Sequence, residues 1–234
     1  MKAFKIAGLQ KLTLLDFPGR VGCTLFTEGC NFRCPFCHNA SLVTLVGKNQ
    51  GYTTEYVLDF LKKRQGIVEG VCISGGEPTL MPGLEDFIRE VRGLGFAVKL
   101  DTNGSRPEIL KHLVNEGLLD YVAMDIKNCR EKYALTSGLD EEYDISKIEE
   151  SASFLMSGAV DFEFRTTVVD PLHETEDFRL IGEWLAGGEK FFLQKFTDSG
   201  DIIGRGLGAY SDEKMTEFLN ELKRLVPNAQ LRGI

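Results

Sequence analysis

Short apolar runs alternate with amphipathic segments along most of the chain, and this alternation limits the possible folds more than any other feature. Runs such as AVKLDT and YVAMDI are almost continuously apolar, as strands buried on both faces of a parallel sheet are. The segments between them repeat apolar residues at the helical period, as Leu84, Phe87, Ile88 and Val91 do. Repeated strand–helix units predict a mostly parallel sheet with right-handed crossovers.

Six such units can be placed on the sequence. Strands are predicted at residues 21–27, 71–74, 97–102, 121–127, 162–169 and 190–197. Helices are predicted at residues 54–64, 84–93, 107–117, 145–156, 175–185 and 211–225. Six units are too few for a closed eight-unit barrel, so the choice lies between an open doubly wound sheet and an incomplete barrel.

Polar residues follow nearly every predicted strand, and this observation favours the barrel. The carboxyl ends of parallel strands carry the site in such folds, and a barrel brings all six ends to one mouth. We therefore expect an incomplete (β/α)6 barrel of the TIM type. A single domain over residues 1–234 is expected, with an N-terminal segment (1–20), the six units (21–197) and a C-terminal loop and helix (198–234).

Charge and composition exclude several classes of function. The net charge is −8, from 35 acidic and 27 basic residues, whereas nucleic acids and anionic membranes require a basic face. The apolar runs are far too short to span a bilayer, and residues 1–15 show no secretory signal. A cytoplasmic protein with neither nucleic-acid nor membrane partners is the expectation.

Three of the six cysteines fall within eight residues, as Cys30, Cys34 and Cys37 in a C-x3-C-x2-C spacing. Three thiolates on a four-iron cluster leave one iron open to a substrate. Zinc, with His38 or Cys23 as fourth ligand, is the alternative, although adjacent residues rarely converge on one tetrahedral ion. The remaining thiols, Cys23, Cys72 and Cys129, are expected to be core or surface residues.

The triad and its flanks resemble the radical S-adenosylmethionine (radical SAM) superfamily. The segments LLDFPG, LFTEGCNFRCPFCHN, SGGEPTL, DTNG and MDIK are similar to those of glycyl-radical enzyme activating enzymes. The similarity is strongest to activators of anaerobic ribonucleoside-triphosphate reductase, and then to pyruvate formate-lyase activators. Many such activators carry an inserted segment with extra cysteine clusters, which this sequence lacks, so one cluster is expected.

The resemblance implies a [4Fe–4S] cluster on the three clustered cysteines and S-adenosylmethionine as the second cofactor. The residues implied to contact S-adenosylmethionine are Phe36, Cys37, His38, Gly75, Gly76, Glu77, Asp101, Thr102, Asp125, Lys127, Arg165 and Gln194. Among them, Lys127 and Arg165 would attract the cofactor carboxylate, and a backbone carbonyl of Gly75 or Gly76 would accept its ammonium.

A monovalent cation is also implied by the resemblance, near Asp101, Thr102 and Asp125. Two carboxylates at neighbouring strand ends repel each other unless a cation or hydrogen bonds hold them. The alternative for Asp101 is that it only caps the Asn103-Gly104 turn. The alternative for Lys127 is a solvated loop charge. His112 and His173 receive no role.

The function implied by the resemblance is that of an oxidoreductase. S-adenosylmethionine would be cleaved reductively to a 5′-deoxyadenosyl radical, which would abstract hydrogen from a glycine of a partner enzyme. Anaerobic ribonucleotide reductase is the expected partner. Flavodoxin or ferredoxin would donate the electron. The LLDFPG segment and residues 200–210 are expected to contact the partner. Two alternatives stay open: a radical SAM enzyme acting on a small molecule, similar to deazapurine synthases, and a non-catalytic metal-binding module.

Overall fold

The computed structural model describes residues 4–48, 50–188 and 190–233. The strands are β1 Gly8–Thr13, β2 Gly22–Thr27, β3 Gly70–Gly75, β4 Ala97–Thr102, β5 Tyr121–Asp125, β6 Asp161–Val168, β7 Phe191–Lys195 and β8 Gln230–Arg232. The helices are α1 Ala40–Thr44, α2 Thr54–Lys62, α3 Leu84–Gly93, α4 Pro107–Asn115, α5 Tyr133–Ser137, α6 Ser146–Met156, α7 Thr175–Trp184 and α8 Asp212–Lys223. All six predicted strands and all six predicted helices are present, with ends shifted by a few residues at most.

The strands form one sheet in the order in which they occur along the chain. From β2 to β8 each neighbouring pair is parallel, and β1 pairs antiparallel with β2. Over the described residues the sheet runs from β1 to β8 without closing on itself. The incomplete (β/α)6 barrel predicted from the sequence is therefore confirmed, with one further strand at each edge.

The helices pack on the outer face of the sheet and form the main core with it. On α3, Leu84, Phe87, Ile88 and Val91 are all buried, as their helical spacing predicts. Burial of each such side chain contributes about 1.5–3 kcal/mol, so a helix stripe of this kind is enough to hold the helix on the sheet. Farther along the chain, α7 and α8 contact each other.

Polar and charged side chains occupy the inner face of the barrel. The registers of β3, β4 and β5 place Cys72 beside Lys99 and Lys99 beside Tyr121. The Tyr121 hydroxyl donates to Glu163 at 3.1 Å, and the Arg232 guanidinium donates to both Glu163 oxygens at 2.9 and 2.8 Å. A narrow, polar interior therefore lies beneath the carboxyl ends of the strands.

Two strands and two short helices were not predicted. β1 (GLQKLT) and β8 (QLR) lie at the sheet edges, where one side of a strand has no partner and polar residues are tolerated. They fall in the segments 1–20 and 198–234, for which no strand was expected. α1 and α5 span five residues each, which is too short for a helical period to be recognised. None of the helices in the described part of the chain has the length and apolar character needed to cross a bilayer.

Candidate active site

A cavity of about 260 Å³ opens at the carboxyl ends of the parallel strands. It is lined by Cys30, Phe32, Cys34, Phe36, Cys37, His38, Asn39, Val43, Ser74, Gly75, Gly76, Asp101, Thr102, Asn103, Asp125, Lys127, Arg165, Thr167 and Gln194. Every residue predicted from the sequence to belong to the site is in this lining except Glu77. The carboxyl ends of β2 to β7 thus meet at one mouth, as a barrel requires and an open sheet would not allow.

The loop that follows β2 carries the three clustered cysteines, and backbone hydrogen bonds anchor it on several sides. Its start is held where the Gly29 N–H donates to Leu42 O at 2.8 Å. Its middle is held where the Arg33 N–H donates to Ser137 O at 2.9 Å, at the end of α5. The Cys37 N–H donates to Cys34 O at 3.1 Å, which closes a turn. These contacts fix the loop against its neighbours.

The three thiols face the cavity from different depths. Cys34 is buried, whereas Cys30 and Cys37 are half-buried. Burial raises the pKa of Cys30 to about 12 and that of Cys34 to about 11, and it also raises the pKa of Cys37. The thiols are therefore protonated at neutral pH, and binding iron would have to release these protons.

Three thiols from one loop that face one cavity are donors suited to an iron–sulfur cluster, whereas a single metal ion would need them closer together. Around zinc, with a bond of about 2.3 Å to each thiolate, the sulfur atoms would lie about 3.8 Å apart. Among the residues that the structure describes, no group of three or more His, Cys, Asp or Glu side chains is arranged to hold one ion. A four-iron cube spreads three thiolates farther apart, each on its own iron. The zinc alternative therefore has no support in the geometry.

The Gly75-Gly76 pair at the end of β3 packs directly against the cysteine loop. A Cβ on Gly76 would lie 1.9 Å from the carbonyl oxygen of Gly29, and a Cβ on Gly75 would lie 2.4 Å from the nitrogen of Thr27. Gly75 also has φ +111°, in the region that favours glycine. Its carbonyl accepts a hydrogen bond from the Asn39 side chain at 3.2 Å. Glycine is thus needed here for close backbone approach.

Glu77 does not reach the cavity, contrary to the cofactor contact expected for it. Its side chain is 1% exposed. One carboxylate oxygen accepts from Thr79 and, at 2.8 Å, from the Thr102 hydroxyl; the other accepts from the Asn103 N–H at 2.7 Å. Glu77 therefore ties the loop after β3 to the loop after β4, which is the turn-holding role also considered for it.

Three cationic and two anionic side chains form a network across the floor of the cavity. Arg165 joins both acids: its Nε donates to Asp125 at 3.0 Å, and its guanidinium lies 3.4 Å from Asp101. Lys127 donates to the second oxygen of Asp125 at 3.0 Å. Lys99 forms an ion pair with Asp101. Lys127 is only 16% exposed, so it is not a solvated loop charge.

Electrostatics in this network keep all five groups ionised. Burial alone would raise the pKa of Asp101, but Arg165 and Lys99 outweigh it and lower that pKa to about 2. At Asp125, too, burial alone would raise the pKa, but Arg165 and Lys127 outweigh it and the pKa is lowered. At Lys127, burial alone would lower the pKa, but the neighbouring Asp125 carboxylate outweighs it and the pKa is raised. Asp101 pairs with Lys99 and Arg165 and does not cap the Asn103-Gly104 turn.

The remaining predicted residues lie around the rim of this network. Phe36 is buried in the cavity wall, and the His38 ring stacks on Phe196 with centroids 5.5 Å apart. Gln194 and Thr102 contribute from β7 and β4. His173, which received no role, is fully buried and contacts Lys127 O at 2.9 Å, so it supports the loop that carries Lys127.

Several residues of the site were not predicted. Ser74 donates to Asp101 at 3.0 Å, and Asn103 donates to Asn31 at 3.0 Å beside Cys30. Thr167 and Asn39 complete the lining. Lys99 is the most informative omission, because a lysine within the apolar run AVKLDT is a signal that the sequence does contain. Such a residue is almost never buried without a partner.

Residues outside the cavity divide into core thiols and a distant loop. Cys23, Cys72 and Cys129, which were expected to be core or surface residues, are all buried in the core. The LLDFPG segment follows Thr13, which pairs with Gly22 at the amino end of β2. It therefore lies at the end of the barrel opposite the mouth, so it is not placed to contact a partner that docks at the mouth. Residues 200–210 do reach the mouth, because the Gly204 N–H donates to Pro35 O at 2.7 Å.

Comparisons with known proteins agree with this geometry. A Methanocaldococcus jannaschii protein named "putative glycyl-radical enzyme activating enzyme" is 31% identical over 242 residues, covering 100% of this chain and 98% of that protein. The pyruvate formate-lyase-activating enzyme of Clostridium pasteurianum is 32% identical over 133 residues, covering 53% of this chain and 52% of that enzyme. The chain thus spans nearly all of the first relative and about half of the second.

Solved structures show the same fold. Streptococcus suis SuiB bound to S-adenosylmethionine superposes with a TM-score of 0.65 at 13% identity, covering 88% of this chain and 49% of that one. The sequence model of the radical SAM superfamily, whose cofactors are a [4Fe–4S] cluster and S-adenosylmethionine, matches residues 24–150, more than half of the chain. With the full-length similarity to the M. jannaschii protein, this match shows that the chain belongs to the radical SAM superfamily.

Proposed function

We propose that this protein activates a glycyl-radical enzyme by abstracting hydrogen from a glycine of that partner. The observation that carries the proposal is the single cavity in which three thiols of one loop face the buried network of Asp101, Asp125, Lys127 and Arg165. The full-length similarity to a protein named as such an activating enzyme supports the same conclusion. The reaction would make the protein an oxidoreductase.

Cys30, Cys34 and Cys37 would hold the cluster, and the loop anchors described above would hold these cysteines in place. When bound, the cluster and S-adenosylmethionine supply a carbon-centred radical that can abstract hydrogen. Phe36 and the Gly75-Gly76 turn form walls of the same cavity, where they would exclude water and let the cofactor approach the backbone.

Arg165 and Lys127 are the residues best suited to bind the carboxylate of S-adenosylmethionine. Lys99, Lys127 and Arg165 carry three positive charges, and Asp101 and Asp125 carry two negative ones. The network therefore has one positive charge in excess, which a carboxylate would balance. A planar guanidinium held from two sides by Asp101 and Asp125 is preoriented for such a contact.

The partner we propose is anaerobic ribonucleoside-triphosphate reductase, with flavodoxin or ferredoxin as electron donor. The exposed loop 200–210 reaches the mouth of the cavity, where a glycine-bearing loop of the partner would have to enter. All six cysteines are free thiols, which supports a reducing compartment, the cytoplasm.

The proposal is tested by mixing the anaerobically reconstituted protein with S-adenosylmethionine, a reductant and the reductase. A glycine-centred radical in the electron paramagnetic resonance spectrum of the reductase is expected. Cys34→Ala should abolish cluster and signal, whereas Cys72→Ala, a buried thiol outside the cavity, should keep both. Release of 5′-deoxyadenosine with no radical on the reductase or any other glycyl-radical enzyme would contradict the proposal and favour a small-molecule substrate.

A variant at the mouth separates docking from chemistry. Arg205 is exposed on the loop 200–210, and Arg205→Glu should weaken activation of the partner while 5′-deoxyadenosine release continues. The matched control is Arg20→Glu, an exposed arginine just before β2 at the opposite end of the barrel, which should not affect activation. Equal activation by both variants would remove the loop 200–210 from the docking surface.

A further inference from the structure

Lys99 is a lysine buried beneath the floor of the cavity. Lys99 is 1% exposed, and Asp101, two residues later in β4, projects from the same face of the strand. Its ammonium contacts Asp101 and lies 3.8 Å from the sulfur of Cys72. Burying an ammonium costs free energy unless the ammonium is paired, so the ion pair with Asp101 is what allows Lys99 to be buried here.

The carboxylates beside it have no oxygen left without a partner. One oxygen of Asp101 is held by Lys99, and the other accepts from Ser74 at 3.0 Å and lies 3.4 Å from Arg165. On Asp125, one oxygen accepts from Arg165 and the other from Lys127, each at 3.0 Å. These are the two carboxylates for which the sequence resemblance implies a monovalent cation.

A monovalent metal ion does not fit this arrangement. The five side chains already carry one positive charge in excess, and a further cation would raise the excess to two in a site of low exposure. Like charges in such a place repel strongly because little water screens them. A metal ion would also have to displace Lys99 or Arg165 from the oxygens that it needs as ligands.

We propose that the Lys99 ammonium is the resident countercation of the S-adenosylmethionine site and takes the place of a bound monovalent metal ion. Lys99 is thus a positioning residue. By neutralising Asp101 from below, it leaves the Arg165 guanidinium, which contacts both Asp101 and Asp125, with positive charge available for the carboxylate of the cofactor. The inference rests on binding of S-adenosylmethionine in this cavity and does not depend on the identity of the protein partner.

The test compares potassium chloride with choline chloride, since choline is too large to replace a metal ion between carboxylates. The dissociation constant of S-adenosylmethionine is measured by anaerobic calorimetry on the cluster-loaded protein. Wild type should bind equally well in both salts, within about twofold. Lys99→Met should bind about tenfold more weakly in choline and should regain most of the loss in potassium.

Lys62→Met is the matched control, because Lys62 pairs with Asp59 at 3.2 Å on the exposed surface of α2. It should behave as wild type in both salts. Binding by wild type that is more than about threefold tighter in potassium would overturn the inference. So would a Lys99→Met variant that binds as wild type without any dependence on potassium.

A second readout does not need S-adenosylmethionine. The melting temperature of wild type should be the same in both salts, and that of Lys99→Met should rise when potassium replaces choline. If wild type binds no S-adenosylmethionine in either salt, the proposed function fails, and the melting temperatures still decide the role of Lys99. If Lys99→Met does not fold, a potassium-dependent melting temperature or affinity of wild type would refute the inference, and independence would support it.

Discussion

Glu77 is a fully buried carboxylate held by four hydrogen bonds between two loops of the site. Burial raises its pKa above the ordinary value of 4.5, and the hydrogen bonds only partly offset this rise. Above pH 4.5 the unfolded chain has released a proton that the folded chain still holds. The free energy of unfolding therefore falls as the pH rises from 4.5 through the folded pKa.

Glu77→Gln should remove this decline with pH. It should also lower the free energy of unfolding by about 1–3 kcal/mol, because the Gln amide would face the donors of Thr79, Thr102 or Asn103 with a donor of its own. Urea unfolding of the oxygen-free protein between pH 4.5 and pH 7 measures both effects. Glu90→Gln, an exposed carboxylate on α3, is the control and should follow wild type. Parallel pH profiles for Glu77→Gln and wild type would contradict the prediction.

At the scale of elements, α5 is a short helix whose end supports the cysteine loop. Gly138, just after α5, has φ +64°, and a Cβ there would lie 2.1 Å from the carbonyl oxygen of Arg33. Arg33 lies in the cysteine loop next to Cys34. A side chain at position 138 would therefore displace that loop.

Gly138→Ala should reduce the iron content of the reconstituted protein at least severalfold. Gly158→Ala is the matched control, since Gly158 has φ +79° but open space around its Cβ position. Both variants place an alanine in the left-handed region, which costs about 1–2 kcal/mol. Only in Gly138→Ala would the added Cβ clash with the cysteine loop. Iron analysis and the absorbance of the cluster measure the difference. Equal iron content in the two variants would show that α5 does not position the cysteines.

Elements buried on both sides were predicted from sequence, and those at the edges were not. The strands β2 to β5 and β7 contain short apolar runs, and β6 alternates apolar with polar residues, because helices cover the outer face of the sheet and neighbouring strands its sides. β1 contains Gln10 and Lys11, and β8 is three residues long, so neither has the apolar pattern of a strand. Their pairing depends on the sheet edge that the rest of the chain provides.

At the scale of the whole molecule, the rule that sites lie at the carboxyl ends of parallel strands located the cavity, whose predicted lining residues came mostly from the family resemblance. It could not predict Lys99, which lies one step below the strand end and whose role depends on side chains from other strands. Nor could it separate Glu77 from the lining, because that separation depends on how the loops after β3 and β4 meet. Contacts between segments distant in sequence were therefore the part that a single sequence did not reveal.

The lower interior of the barrel is held together by a polar contact between distant strands. Arg232 of β8 donates two hydrogen bonds to Glu163 of β6, and Glu163, which is 1% exposed, also accepts from Tyr121 of β5. The Arg232 guanidinium also lies over the Phe192 ring, 3.3 Å from its centroid. This contact joins the C-terminal strand to the centre of the sheet.

Arg232→Met should lower the free energy of unfolding by about 2–4 kcal/mol, because it leaves Glu163 as a buried carboxylate without its cationic partner. Arg224→Met is the control: Arg224 pairs with Glu221 one helical turn away on the surface, and such pairs contribute at most about 0.5 kcal/mol. Urea unfolding of both variants gives the comparison, and both should keep full iron content, since neither residue lines the cavity that the three cysteines face. If Arg232→Met were no less stable than Arg224→Met, the contact between Arg232 and Glu163 would not stabilise the barrel, and the C-terminal strand would not be needed to hold the sheet together.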